Sequence, residues 1–298
     1  MNHLFGIGLI IISAVSFGAM AIFAHFVYGS GISTHSLLFF RFFFAALPMV
    51  PIALIQKRKF PRGKDLGILI AMGAVGYAGQ AWTYFTALTL IPASLVAILL
   101  YLYPVFVAVL SVFFLDEVLT KKKVLALVLA IGGAVLVIGL DIGGNLTGIL
   151  YGIGAALIYS VYNIVGARVM KRNDTFTASL VIILSAAGFY FILNMTSGMV
   201  IPREGIHWVY MAAIGFLCTF VAIYTYFLGM KLIGAVNASM LSTFEPVTTV
   251  VLASLFLGQG IGRIQMAGAG LILVAALIIA AHPKKEKAEA DRTFLRQA

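Results

Sequence analysis

Charge is what this chain has least of. Only 10% of its 298 residues are Asp, Glu, Lys or Arg, against 62% hydrophobic, too little polar surface to enclose a water-soluble core of this size. That balance excludes a soluble globular enzyme and points to an integral membrane protein. A single cysteine, Cys218, excludes a disulfide framework within the chain; inside an apolar run it reads as a small packing residue. No Gly-x-x-x-x-Gly-Lys-Ser/Thr stretch occurs, so the chain has no phosphate loop with which to hydrolyse ATP. His25, His35 and His207 fall near one membrane surface without metal-ligand spacing, and neither a metal nor a cofactor is expected. Asp116-Glu117, beside Thr120, reads as the start signal of the next helix rather than a catalytic dyad. With no nucleophile, base or metal cluster facing water, catalysis is not expected.

What is present is present twice. A gapless shift of 142 residues lays Leu4 and Gly6 on Leu146 and Gly148, Ala71 and Gly73 on Ala213 and Gly215, and Thr83-Tyr84-Phe85 on Thr225-Tyr226-Phe227. The same shift lays Pro104-Val105 on Pro246-Val247, Val109-Leu110 on Val251-Leu252, and Phe114-Leu115 on Phe256-Leu257. Apolar runs long enough to cross about 30 Å of hydrocarbon lie near 4–27, 34–56, 66–88, 93–115, 122–140, 148–168, 176–198, 207–230, 235–257 and 262–281. The expected fold is therefore an all-α integral membrane protein of ten transmembrane helices, five per copy (4–140 and 146–282), with a polar cytoplasmic tail at 283–298. A duplicated unit with an odd number of spans places its copies upside down relative to each other. The first run is read as a span rather than a cleaved export signal, because it lacks a basic leader and its copy at 148–168 is internal.

The net charge of +10 does not point to nucleic acid, because the basic residues sit in alternate loops. Seventeen of the twenty Lys and Arg lie at 57–64, 121–123, 168–172, 231 and 284–296. Arg203 and Arg263 lie on the other side, and Arg41 lies within a span. By the positive-inside rule both termini are cytoplasmic, which places the chain as a multi-pass protein of the plasma (inner) membrane. Glycines inside the spans, Gly73, Gly76 and Gly79, Gly132 and Gly133, Gly148, Gly152 and Gly154, and Gly268 and Gly270, read as points of close helix approach.

Pro104 and Pro246 fall at equivalent depths near mid-membrane, and as helix kinks they free backbone carbonyls around Leu100 and Ser242. Repeat symmetry brings two such helices together where a substrate would bind. Polar residues gather around them: Tyr77, Gln80, Trp82 and Tyr84 in the third span, Tyr101 and Tyr103 in the fourth, Thr219, Tyr224 and Tyr226 in the eighth, and Asn237, Ser239, Ser242, Thr243 and Glu245 in the ninth. Tyrosine offers an apolar face with a hydrogen-bonding tip, suited to small amphiphilic metabolites. Trp82 and Tyr84, late in their span, fit an interfacial belt as well as a cavity. Two formal charges are buried, Arg41 and Glu245, whose copies are Ile183 and Tyr103. An ionisable group at this depth costs about 3 kcal/mol, so Glu245 is read as a substrate or proton site or as the ion-pair partner of Arg41.

The stretch Tyr84-Phe85-Thr86-Ala87-Leu88, then Pro92-Ala93-Ser94, Tyr103-Pro104-Val105 and Phe114-Leu115-Asp116-Glu117, resembles the EamA modules of the drug/metabolite transporter superfamily. The second copy repeats the order in Tyr226-Phe227-Leu228-Gly229-Met230, Ala235-Val236-Asn237-Ala238 and Glu245-Pro246-Val247. The resemblance covers residues 4 to 282 and implies two inverted five-helix repeats around a central cavity, with transport, commonly export, by alternating access. Gln259 departs from the family's frequent glutamate after the ninth helix. The expected partners are a small-molecule substrate, an amino acid or related zwitterion, and the lipid bilayer; self-association is left open. The competing reading is a proton-coupled exporter of cationic drugs, with a membrane-embedded enzyme or a structural protein behind it.

Overall fold

A computed structural model describes residues 2–88, 90, 91, 96, 99–138, 145–258, 260 and 262–280. Pro92, Ala93, Ser94, Gln259 and the tail at 283–298 lie outside the described residues. Among those described there are helices and no strands. The first half runs α1 (Asn2–Tyr28), α2 (Thr34–Ile55), α3 (Gly63–Ala71), α4 (Ala78–Leu88), α5 (Tyr103–Phe114) and α6 (Lys121–Ile138). The second runs α7 (Leu146–Met170), α8 (Thr175–Ser197), α9 (Gly205–Gly215), α10 (Ala222–Ile233), α11 (Ala235–Leu241), α12 (Phe244–Leu257) and α13 (Arg263–Ala280). Seven helices among the described residues are long and apolar enough to cross a membrane. Outward-facing side chains such as Ile55, 80% exposed, and Phe113, 75% exposed, suit a molecule whose solvent is hydrocarbon.

Two π-helical segments interrupt the regular hydrogen bonding at corresponding places: Met72–Tyr77 joins α3 to α4, and Phe216–Val221 joins α9 to α10. Segments of this kind leave a carbonyl to be satisfied otherwise and recur at functional sites. At the prolines the expected kinks are breaks. Pro104 sits in the first turn of α5, after a turn at Tyr101 and Leu102, where its missing N–H costs nothing. Pro246 likewise lies in the first turn of α12, after α11 has ended at Leu241.

The two halves exchange contacts. A Cβ at Gly6 would come within 2.6 Å of Ile233 Cγ2, and a Cβ at Gly148 within 2.6 Å of Ile91 Cγ2. These are equivalent pairs, each with one member in each copy. Gly73 lies against Ile182 and Ser185 of α8, while its copy Gly215 lies against Arg41 and Phe44 of α2. The same glycine–isoleucine contact, Gly6 with Ile233 and Gly148 with Ile91, is thus made once from each copy. Elsewhere Gly133 of α6 meets the Gly268 carbonyl of α13, where a Cβ would stand at 2.7 Å; backbone proximity gives these two helices the dispersion contact that lipid does not supply.

One end of the bundle carries the basic loops and is tied across the halves. Arg58 pairs with Asp174 at 3.1 Å and stacks over Phe176, and Arg172 pairs with Asp65 at 3.0 Å. Asn173 Nδ2 donates to Asp65 at 2.8 Å, Thr177 Oγ1 to the Lys59 carbonyl at 3.1 Å, and Arg168 to the Phe114 carbonyl. Thr120 begins α6, its hydroxyl accepting from Lys123 N. Glu117 serves both halves: its Oε2 lies 3.7 Å from Lys123 Nζ in the first turn of α6, and its Oε1 accepts from Ala235 N at 3.0 Å at the start of α11.

Candidate functional site

Between the halves lies a cavity of about 480 Å³. Its polar lining comes from both copies: Arg41 (α2), Gln80 and Tyr84 (α4), Tyr101 at the break before α5, Tyr159 (α7), and Glu245 with Thr249 (α12). Tyr77 and Tyr103 also line it, and Pro246 shapes its wall. It reaches Tyr28 and Gln265, at the ends of α1 and α13 remote from the basic end.

Glycine sets the depth of each charge. At Gly18 the backbone of α1 passes so close to α12 that a Cβ would stand 2.8 Å from the Glu245 carbonyl and from Thr248 Cβ; Thr249 Oγ1 donates to the Gly18 carbonyl at 3.1 Å. At Gly215 a Cβ would stand 2.9 Å from the Arg41 carbonyl. A larger residue at either position would force apart the helices that define the cavity.

Arg41 is 6% exposed. Its Nε donates to Thr219 Oγ1 at 2.7 Å and its Nη2 to the Tyr77 hydroxyl at 2.6 Å. Tyr77 and Thr219 are copies of one another under the 142-residue shift and sit in the two π segments. Thr219 donates in turn to the Ile214 carbonyl, five residues back, at 2.9 Å. The guanidinium thus ties both irregular segments together, and the rings of Phe42 and Tyr77 lie 5.2 and 5.5 Å from its carbon. Glu245 takes a hydrogen bond from Tyr101. No ion pair joins Glu245 to Arg41: the Arg41 donors go to Thr219 and Tyr77 instead.

The other expected site residues divide. Tyr77, Gln80, Tyr84, Tyr101, Tyr103 and Glu245 share the cavity. Asn237, Ser239, Ser242 and Thr243 donate to carbonyls three or four residues back, those of Ile233, Val236, Ala238 and Met240, and Ser242 also bonds with Tyr103 of the cavity wall. Tyr224 packs against Phe176 and Phe220, and Tyr226 donates to Asn163. Trp82 is 51% exposed and stacks on His35, a belt position. Tyr28, Tyr159 and Thr249 line the cavity without having been singled out in the sequence. Tyr159 packs edge-on to Tyr103 with centroids 4.7 Å apart, but its copy is Phe17, so repeat symmetry gave no polar signal there.

A two-copy helical bundle around a largely apolar cavity that carries one charge of each sign in its wall fits a membrane transporter. The chain belongs to the EamA-like transporter family, whose model matches residues 4–139 and again 146–281. An uncharacterized transporter of Archaeoglobus fulgidus is 26% identical over 92% of this chain and 96% of its own. The aromatic amino acid exporter YddG of Ancylobacter novellus is 26% identical over 60% of this chain and 64% of its own. An S-adenosylmethionine uptake transporter of Rickettsia bellii is 22% identical over 94% of each. A solved crystal structure of another protein superposes with a TM-score of 0.79 at 21% identity, covering 93% of this chain and 95% of that one; at that identity the likeness is one of fold.

Proposed function

We propose that the protein is a secondary transporter that exports a small zwitterionic metabolite, an amino acid or a relative of one, by alternating access around the cavity between its halves. The observation that carries this reading is the cavity itself: about 480 Å³ lined by tyrosine faces and by both Arg41 and Glu245. A site that keeps one group of each sign fits a small molecule that carries both. The cargoes named for two relatives, aromatic amino acids and S-adenosylmethionine, share an α-ammonium carboxylate head.

In this reading the chain crosses the plasma (inner) membrane ten times as two inverted five-span repeats, 4–140 and 146–282. The basic end, both termini and the polar tail at 283–298 face the cytoplasm, as the positive-inside rule requires. The reciprocal glycine contacts support the inversion, because a two-fold relation between copies with an odd number of spans lies in the membrane plane. The ties among Arg58, Asp174, Asp65 and Arg172 then form the inner closure of a state open to the outside. Glu245 receives the substrate ammonium or a coupling proton. A cationic drug is the weaker cargo, because the same cavity presents Arg41 to it.

A metabolite screen by thermal stabilisation of the purified protein, followed by flux into and out of proteoliposomes for each hit, tests the proposal. Stabilisation by amino acids with matching flux is expected. Stabilisation confined to monocationic drugs would replace this reading with the drug-export one.

A further inference from the structure

Arg41 holds a positive charge in the cavity wall with only neutral partners. Thr219 and Tyr77 fix Nε and Nη2, and Phe42 and Tyr77 flank the guanidinium. Among the described residues no carboxylate reaches it, and no hydrogen bond engages Nη1. Hydrogen bonds from neutral hydroxyls orient a guanidinium but do not neutralise it; Glu245, in the same cavity wall, interacts with it only through space, and a cation at this depth with no anion in contact is costly. The two bonds also come from equivalent positions in the two copies, so the side chain is held by both halves at once and has little freedom to leave the cavity wall.

We infer that Arg41 is the anion-recognising residue of the cavity, its unengaged corner receiving the carboxylate of the transported molecule. The inference rests on the transport reading and deepens it by giving the substrate's negative end a place. One guanidinium suits a monoanion. A phosphate dianion would leave a net negative charge in the same cavity as Glu245, so a carboxylate is the better match. Because both π segments are held through Arg41, an anion that draws the guanidinium toward itself also pulls on Tyr77 and Thr219, coupling occupancy to the two irregular segments.

The test compares three probes on purified full-length protein, by thermal stabilisation and by flux in proteoliposomes. L-phenylalanine carries both charges, its methyl ester lacks the anion, and 3-phenylpropanoate lacks the cation. In the unaltered protein L-phenylalanine is expected to bind on the order of tenfold or more tighter than the ester, the worth of one charge-assisted contact. In Arg41→Gln that preference falls to near unity, while Arg41→Lys keeps part of it. Glu245→Gln instead narrows the gap between L-phenylalanine and 3-phenylpropanoate and leaves the acid-over-ester preference in place. A residue that only braced the fold would change stability without changing acid-over-ester selectivity. Where Arg41→Gln does not fold, the lysine variant and the unaltered protein still decide.

Equal binding of acid and ester by the unaltered protein, retention of the preference in Arg41→Gln, or binding of none of the three would overturn the inference. Flux of the ester equal to that of the acid does so while leaving the transporter reading intact. Absence of flux for every compound in the wider screen strikes at the transporter reading itself.

Discussion

Glu245 and Tyr103 occupy one position in the two copies, and their surroundings show how a repeated frame acquires a site. Tyr103 lines the cavity too, but its polar atoms are spent on the frame: Ser160 donates to its carbonyl at 3.2 Å, its hydroxyl donates to the Ser239 carbonyl at 3.3 Å, and Tyr159 packs edge-on against its ring. Around Glu245 the equivalent of Ser160 is Gly18, which lets α1 rest on the backbone, while the carboxyl faces the cavity. Tyr226 spends its hydroxyl on Asn163; its copy Tyr84 lines the cavity. The duplication supplies depth and curvature, and a few unmatched residues, Arg41 against Ile183 and Glu245 against Tyr103, supply the chemistry.

The comparison is broken most severely at the unmatched acid. Glu245→Gln is expected to lower flux by roughly tenfold to hundredfold, the range for losing a hydrogen-bonded charge, with the protein still inserted and folded. Flux and its pH dependence in proteoliposomes check this, and unchanged values would remove Glu245 from the mechanism. Next comes the frame beside it. Gly18→Ala drives a methyl into the Glu245 carbonyl and Thr248 and should cost about 1–3 kcal/mol. Gly8→Ala, on the same helix with open space around it, should leave the melting temperature in detergent near that of the unaltered protein.

A pair that satisfies itself inside the frame yields a smaller effect. Asn163→Ala and Tyr226→Phe should each cost about 1–2 kcal/mol, with non-additivity in a double-mutant cycle, since they share one buried bond. Additive losses would show that the pair is not coupled. At the basic end, Arg58→Ala removes a pair whose side chains are 30% and 40% exposed, so its stability effect should be at most about 1 kcal/mol. In this account its main consequence is easier opening of that end, read as faster labelling of a cysteine placed at Tyr159 by a reagent confined to the cytoplasmic side.

The frame was legible because it is written in hydropathy and repetition. Apolar runs marked the helices, the 142-residue shift marked the equivalences, and the paired prolines marked where two of the helices break. The two charges placed within spans, Arg41 and Glu245, were legible because lipid makes such residues conspicuous. The orientation of small polar residues was not. Asn237, Ser239, Ser242 and Thr243 sit at the depth a site requires, yet each satisfies itself on a carbonyl three or four residues back, an option open to any Ser, Thr or Asn in a helix. The ion-pair alternative for Arg41 failed to appear because the two π segments offered nearer acceptors, and no residue pattern announces a π segment. The ties at the basic end depend on residues more than a hundred positions apart, such as Asp65 with Arg172, and only the packed fold brings them together.

In the proposed transport reading, water reaches the cavity between the two copies from the face opposite the basic loops and not from the basic end. Side-specific labelling of a single cysteine at Gln80 tests it most directly, with the buried native Cys218 replaced by alanine and a membrane-impermeant maleimide applied to each face in turn. Rapid modification is expected from the face opposite the basic loops and little from the basic face. A cysteine there that resists the reagent from both sides would contradict it.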